Sequence, residues 1–149
     1  MNYYSIVICF MLVAFNSQAQ DLVTLNEAAI NKTVEGNLIT ITLPFEILEG
    51  YHIQSETETL GGSLMTQIMF EEEDLFEIVS FEYSKKHNEE VVLNEFTHNV
   101  LMDVFEITVI LRLNEDASNS KLSGQLYYQA CTNKRCLFPR TLDFQVLDL

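Results

Sequence analysis

The stretch that decides how this chain is organised reads Tyr127-Tyr128-Gln129-Ala130-Cys131-Thr132-Asn133-Lys134-Arg135-Cys136-Leu137-Phe138-Pro139. On a helix, side chains five positions apart lie about 140° apart around the axis, so the two thiols would diverge. In a hairpin with Thr132–Arg135 as its loop, Cys131 and Cys136 are directly opposed. Antiparallel partners have Cα atoms about 4.5–5.5 Å apart, a separation that a disulfide accepts. The stretch therefore predicts a hairpin whose cysteines can pair, with Asn133 suited to a left-handed position in its loop.

The charge of this hairpin differs from that of the chain. Lys134, Arg135 and Arg140 are three of only 8 basic residues, and no acidic residue stands between Asp116 and Asp143. Neighbouring cations stabilise a thiolate, and this favours thiol–disulfide exchange near neutral pH. A disulfide that closes so short a loop removes little chain entropy. The pair is therefore interpreted as a working disulfide rather than a purely structural one, on a positive tip that suits an acidic partner.

Outside the hairpin, apolar residues alternate with polar ones at a period of two, which is typical of strands. The strongest strand pattern is Val104–Leu113, and Leu38–Leu43 and Phe76–Tyr83 follow it. Pro44 is expected to end the pairing of its strand or to mark a sheet edge, and 84–90 reads as a charged loop. Strands recur about every 10 residues and no helical pattern appears. The sequence predicts one all-β domain, an antiparallel β-sandwich.

The N-terminus has the features of a secretory signal. The first twenty residues carry no Lys, Arg, Asp or Glu, Ile6–Phe15 is an unbroken apolar run, and Ser17-Gln18-Ala19 supplies small residues for cleavage. The alternative, a membrane anchor, needs roughly 20 apolar residues. We therefore predict a signal peptide over 1–19 that is cleaved and removes Cys9 with it. The remaining domain, 20–149, is then exported without stable membrane insertion, into a compartment where cysteines pair.

Composition and motifs exclude several other functions. The chain has 22 acidic and 8 basic residues and a net charge of −14, so its surface repels nucleic acid and anionic lipid. His52, His87 and His98 have no second ligand at metal spacing, and we expect no metal or cofactor and no special role for these histidines. The run Glu71–Asp74 is interpreted as a solvated loop rather than a calcium site. No nucleophile elbow, phosphate loop or dinucleotide fingerprint occurs.

The cysteine motif also carries a family resemblance. Tyr128-Gln129-Ala130-Cys131 followed by Cys136-Leu137-Phe138-Pro139 resembles the Tyr-Gln-x-Cys … Cys-x-Pro-Pro signature of the N-terminal domain of DsbD-type thiol:disulfide interchange proteins. Gly50-Tyr51-His52-Ile53 is similar to the Gly-Trp/Tyr-His-Ile/Leu segment that begins a strand in that family. The resemblance covers 22–149, and the motif departs from the signature at Phe138 and Arg140.

This resemblance implies an immunoglobulin-like β-sandwich in the bacterial periplasm, acting as a thiol:disulfide oxidoreductase. Cys131 and Cys136 would be the exchanging pair, with Tyr128, Lys134 and Arg135 as modulating neighbours. They would take electrons from a thioredoxin-like donor and pass them to oxidised periplasmic isomerases or cytochrome c maturation factors. As a stand-alone chain, the domain would need another protein as its donor. The resemblance leaves open which cysteine attacks the partner disulfide.

The resemblance also implies a cap loop that shields the cysteines with an aromatic residue. The matching part of this chain lies around His87, Glu89, Glu90 and Val91, where no Phe or Tyr stands. Shielding would then be weaker or come from Tyr83 or Phe96. A second hypothesis remains beside the exchange domain: a non-catalytic, exported immunoglobulin-like binding module whose disulfide only rigidifies a recognition hairpin.

Overall fold

The computed structural model describes residues 21–56, 64–71, 76–84, 88–93, 95–114 and 121–146. The predicted signal peptide and its cleavage site after Ala19 lie outside these ranges. The described elements, in chain order, are β1 (Val23–Leu25), a 3-10 helix (Glu27–Ala29), β2 (Asn31–Glu35), β3 (Leu38–Ile47), β4 (His52–Gln54), β5 (Gln67–Phe70), β6 (Phe76–Tyr83), β7 (Asn88–Leu93), β8 (Phe96–Leu101), β9 (Val104–Leu113), β10 (Leu122–Tyr128), β11 (Ala130–Cys131) and β12 (Arg140–Val146).

The described strands form three antiparallel sheets. Sheet A has the order β1-β3-β9-β6, with β2 also paired to β3; sheet B has the order β11-β4-β8-β7, and sheet C has the order β12-β10-β5. β10 and β11 are successive segments of one strand interrupted at Gln129, so they connect sheet C to sheet B. Across the described residues no helix is long and apolar enough to cross a membrane.

The core takes buried residues from all three sheets, with Ile53, Leu101 and Ala130 contributed by sheet B. On β9, Phe105, Ile107, Val109 and Leu111 are fully buried, and the polar residues between them face the other way. The ring of Phe45 on β3 stacks on Phe105 at 5.3 Å and meets the edge of a sheet C ring, Phe144, at 5.8 Å. Such aromatic contacts add to the free energy gained by burying apolar area. The all-β antiparallel sandwich and the bounds predicted for β9 are therefore confirmed.

Pro44 shows where the sequence prediction was wrong. It lies inside β3, opposite Glu106 of β9, and does not end the strand. The other edge of β3 pairs with β2 up to Thr42 and with β1 from Phe45 onward. The carbonyl of Pro44 accepts a hydrogen bond from the Asn26 N–H in that gap, at 2.9 Å. Because the amide and carbonyl of one strand residue point to the same side, the missing N–H of Pro44 costs no ladder hydrogen bond to β9.

Candidate redox site

The cysteines lie opposite each other at the end of sheet B. Cys131 is the last residue of β11, and Cys136 faces it in an isolated antiparallel bridge. A disulfide joins them, and two backbone hydrogen bonds close the hairpin: Thr132 N–H to the Arg135 carbonyl and Leu137 N–H to the Ala130 carbonyl, both 2.8 Å. The predicted hairpin and disulfide are confirmed. The Cα atoms are 3.9 Å apart, closer than the predicted separation of about 4.5–5.5 Å.

The loop conformation is set by Thr132 and not by Asn133. The Thr132 hydroxyl accepts hydrogen bonds from the backbone N–H groups of Lys134 and Arg135, both at 3.3 Å. Among the described residues other than glycine, only Glu95 and Asp103 have positive φ. The left-handed conformation predicted for Asn133 is therefore wrong, because the threonine hydroxyl stabilises a turn that needs no left-handed residue.

The two sulfurs differ sharply in environment. Cys131 has an exposed fraction of 0%, whereas Cys136 is exposed. The difference follows from their positions: Cys131 ends a strand whose neighbour in sheet B is β4, and Cys136 follows the loop at the rim. An incoming thiolate must approach a disulfide sulfur directly. Only the Cys136 side of this bond offers that approach.

Two buried polar side chains lie beside Cys131. His52 on β4 is its register partner, and the Gln54 Nε2 lies 3.8 Å from the Cys131 Sγ. Both side chains are buried, and within the part of the chain that the structure describes the His52 Nε2 and Gln54 Oε1 have no hydrogen-bond partner. Burial lowers the pKa of His52, and the nearby His98 lowers it further. The neutral imidazole is therefore favoured beside the disulfide.

Sequence reasoning gave no role to His52 and did not mention Gln54. The two residues flank Ile53 in β4, so both side chains lie on one face of the strand. A buried strand with polar residues at alternate positions was the signal that could have found them. Their proximity to Cys131 depends on the pairing of β4 with β11, which connects residues far apart in sequence.

An open cleft of about 560 Å³ lies beside the exposed sulfur. Its lining comprises Gln129, Arg135, Cys136, Leu137, Phe138, Pro139 and Arg140. Gln129 supports this wall, because its Nε2 donates a hydrogen bond to the Leu137 carbonyl at 2.9 Å. Phe138 is 91% exposed, an unusual exposure for a large apolar side chain. The cleft thus combines an exposed disulfide sulfur, an exposed aromatic ring and basic side chains.

The predicted modulating residues occupy different surroundings. Lys134 and Arg135 are exposed on the loop, and Arg135 also lines the cleft. Tyr128 is buried near the end of β10, opposite Arg140 of β12. Burial raises the pKa of Tyr128, while Arg140 acts in the opposite direction. Lys134 and Arg135 therefore lie in the loop beside the disulfide, and Tyr128 lies in the core. A modulating role for these three residues stays a prediction.

The predicted cap residues lie in a strand and not in a loop. Glu89, Glu90 and Val91 belong to β7, so the loop prediction over 84–90 was wrong from residue 88 onward; His87 lies outside the described residues. Their charges hid the strand, because β7 is the edge strand of sheet B and its glutamates face solvent. In the order β11-β4-β8-β7, three strand spacings, about 14 Å, separate β7 from β11. A shielding role for these residues stays a prediction.

In the described part of the chain, no group of three or more His, Cys, Asp or Glu side chains could hold a metal ion.

Comparison with known proteins gives a likeness of fold. No family model matches the chain, and no curated protein matches it significantly. The N-terminal periplasmic domain of ScsB from Proteus mirabilis superposes with a TM-score of 0.53 at 14% identity, covering 80% of this chain and 44% of that one. The N-terminal domain of Neisseria meningitidis DsbD, in the reduced form, gives 0.48 at 16% identity, covering 83% and 93%. The chain thus spans less than half of the ScsB chain, and the likeness to it concerns the fold.

Proposed function

We propose that this chain is a DsbD-type thiol–disulfide exchange domain of the bacterial periplasm. The observation that carries the proposal is the asymmetry of the disulfide: an exposed Cys136 beside an open cleft and a buried Cys131 behind it. The sandwich fold and the resemblance of the cysteine motif support the same function. In this proposal residues 1–19 direct export and are removed, and 20–149 form the exchange domain.

The domain is reduced when a donor thiolate attacks Cys136. A thiolate of a reduced, thioredoxin-like donor attacks the Cys136 Sγ; a mixed disulfide forms and the bond to the Cys131 Sγ breaks, leaving a Cys131 thiolate. The second donor thiol, after losing its proton, attacks the donor sulfur of the mixed disulfide. This releases the oxidised donor and leaves Cys136 as a thiolate. The donor loses two electrons, and the domain gains them as a dithiol once both thiolates are protonated.

Transfer to the acceptor is the reverse sequence. The Cys136 thiolate attacks a disulfide of an oxidised periplasmic protein, such as an isomerase or a cytochrome c maturation factor. The Cys131 thiolate then attacks the Cys136 Sγ, which restores the internal disulfide and releases the acceptor as a dithiol. The buried cysteine is therefore the leaving group when the domain is reduced and the resolving residue when it reduces the acceptor, and the exposed one carries the partner in both directions.

The cleft supports recognition of a thioredoxin-like partner. The Phe138 ring presents exposed apolar area beside the reacting sulfur, and such aromatic residues often anchor interfaces. Lys134 and Arg135 place positive charge at the rim of a domain with a net charge of −14. A partner with an apolar groove and an acidic rim complements this surface, while like-charged regions of the domain repel it elsewhere.

Trapping of the mixed disulfide tests the proposal. A Cys131→Ser variant lacks the resolving thiol, so we expect it to accumulate a disulfide between Cys136 and a thioredoxin-like protein in periplasmic extract. The matched Cys136→Ser variant should capture far less, because the Cys131 sulfur is buried. Non-reducing gels followed by mass spectrometry identify the trapped protein. Equal absence of adducts from both variants, or capture through Cys131 alone, would overturn the assignment.

A further inference from the structure

We infer that Gln54 is a catalytic residue of this site, whose side-chain N–H stabilises the Cys131 thiolate. This inference rests on the proposed exchange function and adds a residue that the cysteine motif does not contain. Its basis is the contact between the Gln54 Nε2 and the Cys131 Sγ, 3.8 Å apart and buried. A hydrogen bond to sulfur at this distance is weak while the sulfur is part of a disulfide and strengthens when it becomes an anion.

The position of Gln54 is fixed by the sheet. It is the last residue of β4, with Val100 of β8 as its partner, and its exposed fraction is 0%. The Thr66 hydroxyl donates a hydrogen bond to the Gln54 backbone carbonyl. The strand therefore holds the carboxamide against Cys131 in advance of the reaction, and little reorganisation is needed when charge develops on the sulfur.

The chemistry of exchange creates a need for such a donor. When the S–S bond breaks, the electron pair stays on the Cys131 Sγ, a buried atom that water does not reach. Burial without a hydrogen-bond donor disfavours the charged form and raises the pKa of a thiol. A leaving thiolate of higher pKa leaves more slowly. The Gln54 N–H offsets this cost at the atom where the charge appears.

The same carboxamide also has an unused acceptor. Among the described residues the buried Gln54 Oε1 has no hydrogen-bond partner, an arrangement that costs free energy in a folded protein. Half a turn about its last side-chain bond would present Oε1 to the S–H of protonated Cys131. One amide can therefore serve the thiolate as donor and the thiol as acceptor, and a nonpolar residue of the same length can do neither.

The first measurement is the pKa of Cys131 as the only thiol, in a Cys9→Ser/Cys136→Ser background, from thiolate absorbance against pH. Adding Gln54→Met should raise this pKa by about one, a tenfold loss of thiolate stabilisation, in the range of a hydrogen bond to a charged group. The matched control is Gln125→Met, which removes an exposed glutamine of β10 that donates to Asp143, away from the cysteines. It should leave the pKa unchanged. An unchanged pKa in Gln54→Met would overturn the inference.

The second measurement is the rate at which dithiothreitol reduces the disulfide, followed by quenched alkylation. Gln54→Met should slow the reaction about threefold, from the dependence of exchange rates on the leaving thiol, and Gln125→Met should not. Gln54→Leu, with circular dichroism to verify folding, repeats both measurements if the methionine variant unfolds. If the unsubstituted disulfide resists reduction by dithiols, the proposed function fails; if it reacts readily and both Gln54 variants match it, only the Gln54 inference fails.

Discussion

Reduction of the Cys131–Cys136 disulfide should leave this domain folded, at a cost of about 2 kcal/mol. A working exchange domain must be stable in both redox states, whereas a structural staple is needed for folding. The cysteines are separated by only 5 positions in sequence, so the bond closes a very short loop. The chain-entropy relation then gives about 2 kcal/mol at 25 °C, against about 4.7 kcal/mol for a loop of 100 residues.

The core supplies the remaining stability without the disulfide. The fully buried residues of β3 and β9 and the Phe45–Phe105 stack lie in sheet A, whereas Cys131 lies in the edge strand of sheet B and Cys136 is bridged to it. For a domain of this size, 2 kcal/mol corresponds to a drop in Tm of roughly 8 °C. Far-ultraviolet circular dichroism melts of the oxidised and reduced protein measure that drop.

Urea unfolding gives a second measure of the same difference. The midpoint should fall on reduction while the slope m stays the same, since the surface exposed on unfolding is nearly unchanged. A Cys131→Ser/Cys136→Ser variant is the control, because its urea midpoint should equal that of the reduced protein and should not change when reductant is added. Loss of cooperative unfolding on reduction, or a Tm drop above about 20 °C, would show that the fold depends on the bond and would favour a structural disulfide.

Two further predictions concern the scaffold around the site. Gly124→Ala should destabilise the fold by about 1–3 kcal/mol in urea, because the new Cβ would lie 2.6 Å from the Met69 carbonyl oxygen and 2.6 Å from the Phe144 Cζ; a loss below about 0.5 kcal/mol would contradict this packing. His52 has a folded-state pKa below its ordinary 6.5, so its contribution to stability is full above that pH and declines as pH falls toward the folded value. His52→Phe should flatten the pH dependence of the unfolding free energy just below pH 6.5. An unaltered profile would show that His52 does not cause this pH dependence.

The sequence predicted the strands whose burial alternates. β9 lies where the period-two pattern placed it, since one face of the strand meets hydrophobic residues and the other does not. β6 also has its predicted bounds, although its burial does not alternate: residues 79–82 are all exposed, and a bulge between Ile78 and Ser80 shifts its pairing with β9. β2 escaped notice because all five of its residues are exposed, so no alternation marks it. Its pairing with β3 follows a tight turn at Gly36, whose φ of 64° suits glycine.

The candidate site, like the fold, contains residues that the sequence could predict and residues that it could not. Cys131 and Cys136 were predictable because a hairpin brings near neighbours together, and local sequence specifies a hairpin. Gln54 and His52 were not, because only the pairing of β4 with β11 places them beside the disulfide. The difference in exposure between the two cysteines likewise depends on the tertiary fold, so the sequence could not order the steps of exchange.

The reduction potential of the Cys131–Cys136 disulfide is the measurement that tests the exchange function most directly. Equilibration with glutathione or thioredoxin buffers, followed by alkylation and mass spectrometry, yields it without knowledge of any partner. For an exchange domain we expect a potential above about −300 mV, in the range of proteins that exchange disulfides. A value below about −300 mV, typical of structural disulfides in secreted proteins, would contradict it and favour a non-catalytic binding module.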